Sequence, residues 1–212
     1  EGCSANCTYC GLARKRPGAY EDKSFIHVGW PVFPMERIVL AIQEAPPYVQ
    51  RTCISMITNG KCRTAVFDMT RRLTDETRIP VSILAAPTIL DREDLAEMKA
   101  CGADKTVCLG DVVGYNANPK ECLDVVRTMG MPCVKGNHDE YCSVESNLEG
   151  FNPHAAEAVN WTRRQLTEED RQWLRDLKYI RLVASFSIVH ATLDGPQSEH
   201  GNHVAGILAA QT

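Results

Sequence analysis

Two hydrophobic periods take turns along most of this chain. Residues 34–44 carry apolar side chains at Ile38, Val39, Ala41 and Ile42, the spacing of an amphipathic helix, and Pro46-Pro47 stops it. Residues 51–58 read as a strand closed by Asn59-Gly60; 65–73 are helical; 80–85 form a buried strand. Asp91, with Asp94 three residues on, caps a helix over 95–100 that stops at Gly102. The alternation then continues. A strand over 106–109 ends in Gly110-Asp111, a helix covers Pro119–Met129, and a strand over 132–134 ends in Gly136-Asn137-His138-Asp139. Asn152-Pro153 opens a helix containing Val159 and Trp161, and Thr167 to Asp170 cap another over 171–178. Strands over 180–184 and 187–191 belong to a second sheet. Trp161 and Trp173 are expected as core or interface anchors. Strand and helix alternating across short connections predict α/β structure with parallel strands.

Composition adds bounds rather than detail. The 212 residues are 44% hydrophobic and 24% charged, enough for one large or two small domains. A net charge of -4 gives no electrostatic basis for a nucleic-acid partner. No apolar run approaches transmembrane length and none reads as a signal peptide, so no membrane partner and a cytoplasmic location are expected. The chain opens at Glu1 without a methionine, as a processed or excised piece would. Of the ten cysteines only Cys3, Cys7 and Cys10 are closely spaced. Several others fall inside apolar patterns and are expected as buried free thiols in a reducing compartment.

Two polar clusters carry the candidate chemistry. Asp111 and the group Asn137, His138 and Asp139 stand at the carboxyl ends of two predicted parallel strands, where α/β sheets bind ligands. A carboxylate, an amide oxygen and an imidazole meeting there suit a hard or borderline divalent metal. Asn137 and His138 are equally at home as ordinary turn residues. At the amino terminus, thiolates spaced C-x3-C-x2-C can ligate three irons of a 4Fe-4S cluster, leaving the fourth iron open. A zinc knuckle or a chance cluster would show the same spacing.

These motifs resemble known families. GD-x-x-G-Y from Gly110 and GNHD from Gly136 look like the second and third motifs of calcineurin-like metallophosphoesterases, and the resemblance runs over 105–197, through the strand ending at His190. It implies an α/β sandwich in which Asp111 bridges two metals, Asn137 and His190 bind the second, His138 contacts phosphate or protonates the leaving oxygen, and Asp139 orients that imidazole. The family's first motif, Asp-x-His, and its last, Gly-His-x-His, have no counterpart here, so one ion is implied rather than two. The cysteine loop, with Tyr9 before Cys10, resembles radical S-adenosylmethionine (SAM) enzymes of the biotin and lipoyl synthase branch, over 1–104. That implies a cluster on Cys3, Cys7 and Cys10, SAM as cofactor and a half (β/α) barrel. The glycine-rich segment that would hold the SAM amino group is replaced by Asn59-Gly60-Lys61 and its neighbours. Residues 198–212 resemble the histidine motif of subtilisin-like serine proteases and imply a helical tail. His200 and His203 could alternatively complete a metal site.

Three functional readings follow. One is a composite of incomplete domains with remnant metal sites and no efficient catalysis. Another is a phosphoesterase that uses Asp111, Asn137, His138 and His190 with manganese, iron or zinc, acting on a small-molecule phosphate ester. The last is an iron–sulfur protein working through its cysteine loop.

Overall fold

A computed structural model describes residues 33–55, 59–84, 91–115, 117–149, 151, 153–190 and 206–208. The cysteine loop at Cys3, Cys7 and Cys10 and the pair His200 and His203 lie outside these residues. The chain divides into two compact units, Glu1–Asp104 and Lys105–Thr212.

In the first unit, α1 (Met35–Gln43) is followed by β1 (Thr52–Ser55), α2 (Gly60–Glu76), β2 (Val81–Leu84) and α3 (Arg92–Ala100). β1 and β2 pair in parallel, Thr52 opposite Val81 and Ser55 opposite Leu84, so β1–α2–β2 is one crossover unit. α2 extends beyond the periodic stretch at both ends. The Asn59 side chain accepts from the backbone N–H groups of Lys61 and Cys62 and so supplies an N-cap upstream. Val66, Phe67 and Leu73 are its buried face. Asp91 and Asp94 form the reciprocal capping box that their spacing predicts. Two parallel strands do not close a barrel. Among the described residues the mixed α/β class therefore stands, and the barrel-like half expected here is not shown by them.

The second unit holds α4 (Pro119–Met129), α5 (Asn137–Ser143), α6 (Pro153–Gln165), α7 (Glu168–Asp176) and an antiparallel sheet of β3 (Ile180–Val183), β4 (Phe186–Val189) and β5 (Gly206–Leu208). α4 keeps its predicted limits: Pro119 occupies the first turn, where no N–H is needed, and Gly130 ends the helix at φ 60°. The two predicted strands flanking α4 are reduced to single parallel bridges, Cys108 to Cys133 and Val134 to Lys178. Pro132 has no N–H to extend a ladder, and Gly110 and Asp111 turn the chain at φ 86° and 53°. In the tail, Gly206–Leu208 pairs with β4 instead of forming the expected helix. An open strand edge offers these residues, β-branched Ile207 among them, inter-strand hydrogen bonds.

One core cluster joins Val113, Leu123, Cys142, Val159, Leu166 and Leu174, with Trp173 against it; a second joins Val134, Val183, Phe186 and Ile188, with Val107 and Leu109 against it. Buried Arg163 links α6 to α5 and the chain that follows it. Its guanidinium donates to the carbonyls of Tyr141 and Ser146 at 2.9 and 3.2 Å. Asp170, 1% exposed at its side chain, caps α7 together with Thr167 and accepts from Lys120 and Arg127 of α4 at 3.0 and 2.8 Å. No helix among the described residues is long and apolar enough to cross a membrane. Their seven cysteines are all free thiols.

Candidate metal centre

The bridge between Cys108 and Cys133 sets the chain leaving Leu109 beside the chain leaving Val134. What lets them approach is a pair of glycines. A Cβ on Gly136 would stand 2.1 Å from Asp111 Oδ1 and 2.3 Å from Asp111 N; one on Gly110 would stand 2.5 Å from Gly136 N. The glycines of both motifs therefore serve the same close backbone contact.

Asp139 ties the two segments together. It is wholly buried, and its carboxylate accepts from the backbone N–H groups of Asp111 (2.9 Å), Gly136 (2.9 Å) and Val113 (3.3 Å). This differs from the expected bond to the His138 imidazole. From the third position of α5, the short aspartate side chain reaches back to the N–H of Gly136, which precedes the helix, and its remaining valences are taken by the Asp111 loop. Burial, with the charge of Asp111 adding to it, pushes this carboxyl up to about 7 despite the three N–H bonds. Asp139 is thus a structural tie, and its effect on His138 runs through the backbone.

Three predicted donors do come together. His190 Nε2 lies 3.2 Å from Asn137 Oδ1 and 3.4 Å from Asp111 Oδ2. His190 Nδ1 lies 2.7 Å from the carbonyl oxygen of Leu109. A carbonyl can only accept, so Nδ1 carries the proton and Nε2 faces the two oxygens, the arrangement in which a histidine is oriented for a metal. Burial opposes a charge on His190, but the hydrogen bond to Asp111, that residue's charge and the Leu109 carbonyl outweigh it and hold the imidazole up to about 9. That second proton, on Nε2, faces the two oxygens, so a cation held by Asp111, Asn137 and His190 would have to displace it.

The donor set fits one ion. Separations of 3.2 to 3.4 Å are the edges expected of ligands each about 2.1 Å from a common centre. Among the described residues, no three of His, Cys, Asp and Glu gather as a metal cluster, and the third donor here is an amide oxygen. The other Asp111 oxygen, Oδ1, accepts from the backbone N–H of His138 at 3.0 Å. Asp111, Asn137 and His190 are thus the residues that could hold a single divalent cation.

His138 is buried beside Asp111. Burial lowers its pKa, partly opposed by the charge of Asp111, so it is neutral near pH 7. Its ring stacks on Tyr115 with centroids 3.9 Å apart and 27° between planes, and Phe151 lies tilted at 6.0 Å. A cavity of about 30 Å³, room for a water, lies among Asp111, Tyr115, Asn118 and Cys122. Tyr115 and the Leu109 carbonyl are the site elements that sequence reading missed. The tyrosine was visible as the last letter of GD-x-x-G-Y, while a backbone carbonyl leaves no signal in residue type.

No protein-family model matches the chain. An uncharacterized protein of Methanocaldococcus jannaschii is 38% identical over 86 residues, covering 41% of this chain and 35% of that protein. A solved structure described as a metallophosphoesterase from Sphaerobacter thermophilus is 34% identical at a TM-score of 0.39, covering 50% of this chain and 44% of that one. The chain spans less than half the length of either relative. Neither description mentions an iron–sulfur cluster, SAM or proteolysis.

Proposed function

We propose that the unit Lys105–Thr212 carries a phosphoester-hydrolysing site that works with one divalent ion. The observation that carries this reading is the convergence of Asp111, Asn137 and His190, with Nδ1 of His190 committed to a backbone carbonyl so that Nε2 is presented to the centre. An oxygen and nitrogen donor set of this kind suits manganese, iron or zinc. When bound, the ion supplies charge neutralisation at a phosphoryl oxygen.

The protein residues do the rest. Asp111 and Asn137 contribute oxygens from the ends of two adjacent segments, and Asp139 fixes the spacing of those segments from beneath. His138, neutral near pH 7, serves better as an N–H donor to a phosphoryl oxygen than as a proton source. The similarity to the Sphaerobacter metallophosphoesterase accords with this chemistry. A small-molecule phosphate ester is the proposed substrate class. One ion lacks the two-sided clamp on attacking and leaving oxygens, so slow turnover is expected.

The test is protein purified without oxygen and assayed for metal content, then for manganese-dependent hydrolysis of an aryl phosphate. The reading expects about one ion per chain, hydrolysis strongly reduced but still measurable in His138→Ala, and metal lost in His190→Ala. Bound metal with turnover no faster than buffer would leave a remnant binding site; absence of bound metal would remove the reading altogether.

A further inference from the structure

We infer that Tyr115 is a positioning residue: its ring holds the buried His138 imidazole in one orientation beside Asp111. The inference rests on the phosphoesterase reading for its catalytic consequence, but its geometric content stands alone.

Hydrogen bonding orients the His138 ring only weakly: the Gly114 backbone interacts with it, but Nδ1 is buried without a partner at good hydrogen-bond geometry. Asp139, the residue expected to steer the ring, spends both oxygens on backbone N–H groups. The His138 backbone is pinned by its bond to Asp111 Oδ1, yet that leaves the side-chain torsions open. Packing closes them. Gly114, at φ 101°, lets the chain pass so tightly that a Cβ there would lie 2.8 Å from both His138 Cβ and Nδ1. Tyr115 then stacks on the ring face with centroids 3.9 Å apart and 27° between planes, and Phe151 stands tilted at 6.0 Å. An aromatic stack of this kind adds direction to that weak polar contact. Tyr115 remains 40% exposed, so its ring borders the open side of the crevice and is not simply core.

Two readouts test the idea. In metal-free protein, NMR of the His138 ring protons should show upfield ring-current shifts in the parent and in Tyr115→Phe, lost in Tyr115→Leu. Equal shifts in all three overturn the stack, whether or not the protein hydrolyses anything. In the active protein, Tyr115→Leu should lower kcat by up to about 10²-fold, as for a reacting group misplaced by about 1 Å, with KM little changed and Tyr115→Phe restoring the rate. The same substitution in a His138→Ala background should cost nothing further, because the two residues act as one unit. A further loss there, or a loss confined to KM, overturns positioning through His138. An inactive parent protein would instead defeat the phosphoesterase reading and leave the NMR comparison to decide this one.

Discussion

Gly136→Ala is the sharpest perturbation of the centre. The new Cβ would stand 2.3 Å from Asp111 N and 2.1 Å from Asp111 Oδ1, against the 3.4 Å at which ordinary contact begins. The first of these is a backbone atom, so no rotamer change relieves it. The Asp111 loop must retreat by roughly an ångström, a misplacement that by itself can abolish most of a site's function. Retreat breaks the Asp111 N–H bond to the Asp139 carboxylate and the His138 N–H bond to Asp111 Oδ1. At about pH 8, above the value of about 7 to which Asp139 is pushed, each is a hydrogen bond to a charged group and worth about 1.5 kcal/mol or more, so the loss is at least about 3 kcal/mol. For a domain of about 100 residues that lowers Tm by roughly 12 °C or more. The assay is thermal unfolding by circular dichroism, with manganese affinity by calorimetry on the folded fraction. Gly130→Ala is the control: unlike Gly136, at φ -88°, Gly130 has a positive φ of 60°, but nothing lies within 4 Å of its Cβ, so only backbone strain of about 1 kcal/mol is expected. Should Gly136→Ala melt no earlier than Gly130→Ala and bind manganese as the parent does, the close-contact argument is wrong.

Other consequences can be measured alongside. Burial opposes ionisation of Asp170, but the Thr167 hydroxyl, Lys120, the Thr167 N–H and Arg127 outweigh it and hold the carboxyl down to about 2, below its ordinary 3.8. A depressed carboxyl stabilises the fold above its ordinary value and loses that contribution as pH falls toward 2, so Asp170→Asn should be less stable than the parent by about 2 kcal/mol at pH 6 and converge with it near pH 2; a gap independent of pH would contradict the ion-pair account. Leu123 is fully buried in the core cluster that carries α4, and Leu123→Ala should cost about 2–5 kcal/mol in urea unfolding with an unchanged slope. Arg163→Met keeps the apolar stem but leaves the Tyr141 and Ser146 carbonyls without their donor; a loss of about 2 kcal/mol is expected, together with faster amide exchange over 144–149, and exchange like the parent's would argue against the clamp.

Much of the local structure could be read directly from residue order, because its causes are local. Pro119 and Gly130 delimit α4, and Asp91 with Asp94, or Thr167 with Asp170, start helices through bonds three residues apart. The strand predictions held less well where pairing had to come from elsewhere. An apolar run at 106–109 says nothing about whether a neighbour supplies more than one bridge, and Pro132 limits how far that pairing can go. The same holds at the tail, where β4 offers an edge that no helical reading of 198–212 takes into account.

The chemical types at the centre were set by sequence alone: a carboxylate after Gly110, an amide and an imidazole after Gly136, and a histidine ending β4. Only tertiary structure decided which of them meet. His190 reaches Leu109 across 81 residues and Asn137 across 53. Ile188 and Leu109 belong to one apolar cluster, so burial of that cluster, not any local preference, carries the imidazole to the centre. Tertiary structure also reassigned Asp139 from partner of a ring to tie between two backbone segments, and passed the ring to Tyr115. The physical reason is range. Capping and turn chemistry act within a few residues, whereas a metal centre is assembled by packing, and packing depends on every side chain beneath it.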